Sequence, residues 1–333
     1  MINNNIKISK IVFVIIIFFG CSKPKDYSGM VWIESGQFMM GGMSHPESRN
    51  DEFPKHKVKL DGFWIDQTEV TNSQFSDFIN KTNYVTTAEI VPKWEDIKNQ
   101  LPPGIQKPHD SLFIPSSLVF KPLNKETSIK DVSSWWEWKK GANWKTPFGE
   151  GSSIDHIMEH PVVHVSYFDA QEYCKWNGKR LPSEAEWEFA ARGGKDDAIF
   201  TWGNQSISSN YLNSWEGDFP FINTEKDGYY YTAPVKSYIS NGFGIYDMAG
   251  NVWEWCSDWY DYNYYKSNTL LKINPKGPEK SFDPQEPYSN KKVLRGGSFL
   301  CNSSYCSGYR VSARMKSSPD TGMSHTGFRC ACD

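Results

Sequence analysis

Near the end of this 333-residue chain two cysteines, Cys301 and Cys306, stand five positions apart in the run GGSFLCNSSYC. Two thiols at that spacing can close a disulfide. As thiolates they can instead hold a soft metal, since sulfur selects Cu(I) and that ion accepts near-linear coordination by two donors. An apo pair that oxidises would make the two readings states of one site. Harder donors occur upstream. In YDMAGNVWEW, Asp247 and Glu254 offer carboxylates and Gly250 and Val252 offer carbonyls around a turn, while Asn213, Ser214, Asp227 and Tyr229 provide a similar mixture. Oxygen sets of this kind suit Ca2+. The same residue types beside glycine also stabilise turns without any ion. His156, His160 and His164 recur every four residues. Pro161 interrupts any single helix that would carry all three, so no zinc site is expected there.

The N-terminus sets the compartment in which these groups would work. Lys7 and Lys10 precede an apolar run from Ile11 to Phe19, followed by Gly20 and Cys21. Nine apolar residues are too few to cross about 30 Å of hydrocarbon as a helix, and they suit the central region of a signal peptide. A small residue followed by cysteine resembles a bacterial lipobox. The expectation is a lipoprotein-type signal peptide at 1–20, lipidation of Cys21, a polar tether at 21–29 and one domain at 30–333. The protein is then exported and lipid-anchored at a bacterial membrane, on the periplasmic side or the cell surface, where disulfides persist. The formal charge of −3 becomes −5 once two leader lysines are removed. That balance argues against a nucleic-acid partner, which calls for a basic surface.

Elements able to position the candidate groups are short. β-like runs are expected at Met30–Ile33, Phe38–Met40, His56–Leu60 and Phe63–Asp66. Three helices carry capping boxes: Thr71 with Gln74, Ser166 with Asp169, and Ser183 with Glu186. The second should end near Asn177 and Gly178, the third at Gly193 and Gly194. Residues 83–161 show little periodicity, hold several prolines and the Trp135, Trp136, Trp138 cluster, and read as irregular chain wrapped on the core. An aromatic share of 15% with a mean hydropathy of −0.60 excludes disorder and predicts a loop-rich fold with an aromatic core.

The segment from Lys291 to Asp333, KKVLRGGSFLCNSSYCSGYRVSARMKSSPDTGMSHTGFRCACD, resembles the catalytic segment of formylglycine-generating enzymes, the sulfatase-modifying factors. There GGS precedes a C-x-x-x-x-C pair and the domain closes on GFRC. MVWIESGQFMMGG, HPVVHVSYFDAQEYCKWNGKRLPSEAEWEFAARGG and NGFGIYDMAGNVWEWCSDWY resemble the same family, so the similarity spans Met30 to Asp333. The GNVWEW and GFR signatures also occur on scaffolds lacking the cysteine pair, which makes the pair the discriminating feature.

The resemblance implies a compact α+β domain with low regular secondary structure, related to the C-type lectin-like group. It implies that Cys301 and Cys306 bind Cu(I) and that O2 oxidises a cysteine in a C-x-P-x-R segment of a sulfatase polypeptide to formylglycine. Ser298 matches a serine beside the metal pair, Trp253 an aromatic lining the active site, and Tyr305 a residue between the cysteines. Ser324 and His325 match the stretch that contacts substrate backbone, with His325 standing where some members have Asn. Both oxygen sets match structural calcium positions, and Cys174 with Cys330 matches a disulfide. A second bridge of some members maps to Ala191 and Val311, so it is absent here. Cys256 and Cys332 have no counterpart and stay open between buried thiols and a further bridge. Two rival expectations stand beside it: a non-catalytic surface lipoprotein that uses the same scaffold for binding or assembly, and a different oxidoreductase, such as one acting on a small thiol, that keeps copper or uses iron.

Overall fold

The structure, a computed structural model, describes residues 27–124, 131–266 and 271–333; the expected leader, Cys21 and the first part of the tether lie outside them. In chain order the domain contains β1 (Met30–Ile33), β2 (Gly36–Met40), β3 (His56–Leu60), β4 (Phe63–Asp66), α1 (Asn72–Thr82), α2 (Trp94–Lys98), β5 (Ser116–Phe120), β6 (Trp136–Lys140), α3 (Tyr167–Trp176) and α4 (Glu184–Arg192). Then follow β7 (Gly217–Asp218), β8 (Ile222–Asn223), β9 (Trp253–Trp259), β10 (Lys272–Ile273), β11 (Lys292–Arg295), β12 (Met315–Ser317), β13 (Thr326–Gly327) and β14 (Ala331–Cys332). This is the expected α+β domain with little regular structure. Among the described residues no helix is long and apolar enough to cross a membrane.

Local chemistry explains the helices. At α1, α3 and α4 the capping hydroxyl accepts from the backbone N–H three residues on, and the third residue's side chain accepts from the cap's own N–H. Each box satisfies two donors that a helix start leaves unpaired. Helix α4 stops at Gly193, which has a φ of +55°; a Cβ there would fall 2.8 Å from the Gly242 nitrogen.

Two sheets organise the site. Strands β1 and β14 both flank β4 antiparallel, so the ends of the domain share one sheet. Strand order β12-β11-β9-β13 then joins the WEWCSDW strand to the strands on either side of the cysteine pair. The stretch expected to be irregular differs from expectation. It holds the short helix α2 and a hairpin in which β5 pairs antiparallel with β6 from Ser116↔Lys140 to Phe120↔Trp136. Of its tryptophans, Trp135 is buried, Trp136 half-buried and Trp138 exposed.

The core is aromatic, as composition suggested, but it also encloses charge. Arg192, Arg295, Arg310, Arg314 and Arg329 are all buried. Each meets a buried glutamate: Arg192 and Arg295 meet Glu188, Arg295 and Arg314 meet Glu184, Arg310 meets Glu52, and Arg329 meets Glu254. Partners of this kind hold distant loops in one arrangement, because removing one member strands the other charge in the interior.

Candidate active site

Strand β11 ends in Gly296 and Gly297, which turn the chain back on itself. Gly297 has a φ of +78°, and a Cβ there would lie 2.7 Å from the Tyr309 nitrogen. Only glycine permits that approach. The turn is then tied locally: the Cys301 N–H donates to the Ser298 carbonyl (2.9 Å), the Ser298 N–H to the Cys301 Sγ (3.4 Å), and the Leu300 N–H to the Ser298 Oγ (3.3 Å). The Cys306 N–H donates to the Asn302 carbonyl at 2.7 Å. Asn302 anchors the loop by donating its side-chain amide to the carbonyls of Trp215 and Gly217, while the Trp215 N–H donates to the Cys301 carbonyl.

These constraints place the Cys301 and Cys306 sulfurs 2.7 Å apart. Cys301 is buried and Cys306 half-buried. Burial, together with the neighbouring sulfur, pushes the Cys301 thiol well above its usual range. A hydrogen bond from Cys301 pulls Cys306 down against the effect of burial, with help from the positive charges of Arg49 and Arg310. The two thiols are thus shifted in opposite directions, the sheltered one up and the more accessible one down.

Trp253 closes the site from β9. Its ring and the Cys301 sulfur both face Gly308, where a Cβ would fall 2.3 Å from the ring and 3.1 Å from the sulfur. On the other side stands an aromatic wall. Tyr305 stacks on Phe219 with centroids 4.6 Å apart and meets Trp135 edge-on at 5.5 Å, and Phe120 and Trp215 continue the cluster. Ser324 is stitched to the hairpin, with its N–H donating to the Leu118 carbonyl and its Oγ accepting from the Phe120 N–H. The His325 ring packs on Trp136 at 4.9 Å, and its carbonyl accepts the Trp253 N–H. Burial pulls His325 down to about 3, so the imidazole is neutral, and its Nδ1 is buried without a hydrogen-bond partner. The structure thus gathers Cys301, Cys306, Ser298, Trp253 and Tyr305 at one place and links Ser324 and His325 to the same wall.

Outside this site, the Cys174 and Cys330 sulfurs face each other at 2.8 Å in the core. Cys256 is buried in the second core cluster with its thiol pushed well up by burial, and the Cys332 sulfur lies 4.0 Å from that of Met30. Ala191 and Val311 both pack in that second cluster. The histidines of the four-residue spacing separate: His160 bonds Thr232, and His164 is buried between the Ser117 hydroxyl and the Pro147 carbonyl.

The oxygen sets give a mixed picture. Asn213 Oδ1 and Asp247 Oδ1 are buried with no hydrogen-bond partner, as donors awaiting a cation would be. Asp227 accepts from the Ser214 and Tyr229 N–H groups, and both Glu254 oxygens accept from Arg329, one of them also from the Trp187 indole. Gly250 has a φ of +81°, and a Cβ would clash with the Asn213 carbonyl at 2.1 Å, so the Gly250 turn lies directly against Asn213. Among the described residues no cluster of three or more His, Cys, Asp or Glu side chains is arranged for a metal. The donors that fit calcium are the two orphaned oxygens and nearby carbonyls.

Several residues that build the site carry no signal in the sequence. Arg310, four residues past Cys306, bonds both oxygens of Glu52, 258 positions away. Trp135, Phe219 and Trp215 were undistinguished among fourteen tryptophans and twenty phenylalanines. The crowding of Trp135, Trp136 and Trp138 pointed only to chain wrapped on the core.

Residues 20–333 match the family described as the sulfatase-modifying factor enzyme 1-like domain. A protein of Thermomonospora curvata named formylglycine-generating enzyme is 43% identical over 309 residues, covering 92% of this chain and 93% of its own. The protein of that name from Bos taurus is 40% identical over 319 residues, covering 93% of this chain and 76% of its own. In fold the chain is similar to PvdO from Pseudomonas aeruginosa, with a TM-score of 0.58 at 23% identity, across 91% of this chain and 94% of that one.

Proposed function

Since this chain belongs to the sulfatase-modifying factor family, we propose that it converts a cysteine in a C-x-P-x-R segment of a sulfatase to formylglycine, with Cu(I) and O2. The observation that carries the reading is that the fold brings the Cys301 and Cys306 sulfurs together, 2.7 Å apart, beside Trp253 and the aromatic cluster of Tyr305; to flank a Cu(I) ion they would have to move apart. Cys301 and Cys306 would hold the copper, which supplies a soft centre where a substrate thiolate and O2 can meet.

The chain's own residues then do three things. The buried Cys301 and half-buried Cys306 give one sheltered and one accessible sulfur, so a substrate approaches from the Cys306 side. Trp253, Phe219 and Trp135 are buried and back the site against water, and the exposed ring of Tyr305, stacked on Phe219, offers flat apolar surface to an extended peptide. Neutral His325 and the hydroxyl of Ser298 lie at its edges as hydrogen-bonding groups that carry no charge. In overall balance the substrate CH2–SH loses two hydrogens to give a thioaldehyde, and water replaces its sulfur as hydrogen sulfide to leave the aldehyde. Reduction of O2 to water takes four electrons: two come from the substrate and two from a pair of external thiol groups, which leave joined as a disulfide.

The same proposal includes export with a lipid on Cys21, supported by the charged and apolar run that precedes it. It includes a Cys174–Cys330 bridge, supported by the facing sulfurs. Structural calcium at the Asn213 and Asp247 turns is supported by their orphaned oxygens. Aerobic incubation of the copper-loaded protein with a C-x-P-x-R peptide and a thiol reductant, read by mass spectrometry for the aldehyde, tests the activity.

A further inference from the structure

The sheet formed by β1, β4 and β14 has one face in the core and a second face that is partly covered, with Met30 and Cys332 buried, Trp64 half-buried and Trp32 exposed. Ile33, Phe63 and Ile65 enter the second core cluster, with Val31 packed against it. Alternation along the strands then puts Met30, Trp32, Trp64 and Cys332 on the other face, where Trp32 pairs with Trp64 and Cys332 pairs with Trp64 in register. Trp32 is 40% exposed, and its ring lies over Gly62, where a Cβ would come within 2.3 Å. Its centroid is 5.6 Å from that of Trp64, and Tyr27 stacks on Trp64 at 4.4 Å. Three large amphipathic aromatics therefore form one continuous patch, of which Trp32 is exposed and Tyr27 and Trp64 are half-buried.

The position of the patch in the chain says what covers it. Tyr27, the first described residue, stands only six positions after Cys21. A chain spans at most about 3.6 Å per residue, so a lipid on Cys21 holds Tyr27 within roughly 20 Å of the bilayer. Tryptophan and tyrosine are the side chains that settle at a membrane–water boundary, with an apolar ring buried and an N–H or O–H left wet. We propose that the Tyr27–Trp64–Trp32 face rests on the lipid bilayer and fixes the orientation of the anchored domain. This rests on the reading of Cys21 as lipidated. With a mature charge of −5, contact is made by aromatic insertion and not by attraction to anionic headgroups, so neutral lipid suffices.

The test uses the full-length lipidated protein in vesicles of phosphatidylcholine, brominated or not. Brominated lipid should quench part of the tryptophan emission, at low and at high salt alike. Trp32→Phe should remove at least half of that quenching, while Trp138→Phe, which alters an exposed tryptophan of β6, should leave it unchanged. Flotation of the same samples reports the anchor separately. A chain that does not float overturns the lipid reading and the docking with it. A chain that floats with equal quenching in all variants, or none, overturns the docking alone. Self-association in detergent that Trp32→Phe abolishes, without lipid quenching, would give the face to a second copy and also overturn the proposal.

Discussion

Glu52 and Arg310, 258 positions apart, form a two-pronged ion pair in the interior: the guanidinium donates to both carboxylate oxygens at 2.7 Å. Ser312 and the Arg49 N–H add bonds to the same carboxylate, and Arg310 also donates to the Glu47 carbonyl. One buried contact thus fastens the loop before β3 to the loop that carries Cys306. Burial alone would raise the Glu52 pKa, yet the Arg310 hydrogen bonds and charge hold it below the ordinary carboxylate range.

Glu52→Ala should therefore destabilise the protein by about 3–5 kcal/mol, because an unpaired guanidinium is left without water. Denaturant unfolding measures this. Glu52→Gln, which keeps the shape but not the charge, should lose less stability while still weakening Cu(I) binding. An unfolding midpoint unchanged in both variants would mean that the pair does not brace the site.

Gly308 is the narrowest point beside the cysteines. Gly308→Ala must push either the Trp253 ring or the Cys301 sulfur aside. A cost of about 1–3 kcal/mol is expected from overpacking, with a matching loss of metal affinity. Competition against a Cu(I) chelator should show weaker binding than in the wild type.

His164 is pulled by burial to about 4, so the folded protein holds it neutral where an unfolded chain would protonate it. Below pH 6.5 the unfolded state binds more protons than the native state. Stability contributed by this group is present above that pH and is lost as pH falls toward 4, at up to about 1.4 kcal/mol per pH unit. His164→Asn suits the left-handed backbone there, with a φ of 61°. Its stability should fall less steeply over pH 6.5 to 4, as read by urea unfolding at several pH values.

Calcium should raise the melting temperature and a chelator should lower it. At a hundredfold excess over the dissociation constant, binding adds about 2.7 kcal/mol. The effect should vanish in a double variant Asn213→Ala, Asp247→Ala, which removes the two orphaned oxygens. Equal melting temperatures of the wild type with calcium and with chelator would mean that these turns stand without an ion.

Some of this was legible from the sequence for a physical reason. The capping boxes at Thr71, Ser166 and Ser183 are decided by residues three positions apart, so local reading found all three helices. Cys301 and Cys306 were legible because thiols at close spacing are chemically distinctive. The hairpin of β5 and β6 was not, since its strands are fifteen residues apart and the half-buried β6 lacks clean alternation. Nor were the buried arginines. A sequence shows Arg310 as a charged residue near serines and tyrosine, and only the folded chain supplies Glu52. Phe219 and Trp135 likewise become a wall only when the hairpin brings them to Tyr305.

On the function proposed above, the Cys301 and Cys306 sulfurs together make this protein an oxidase of a peptide cysteine. The most direct measurement is the mass of a C-x-P-x-R peptide after aerobic incubation with the copper-loaded wild type, Cys301→Ala and Cys306→Ala. The aldehyde should form with the wild type under air, fail to form without oxygen, and be absent with either variant. A peptide left unchanged by the wild type, or converted equally well by Cys301→Ala or Cys306→Ala, would contradict the account.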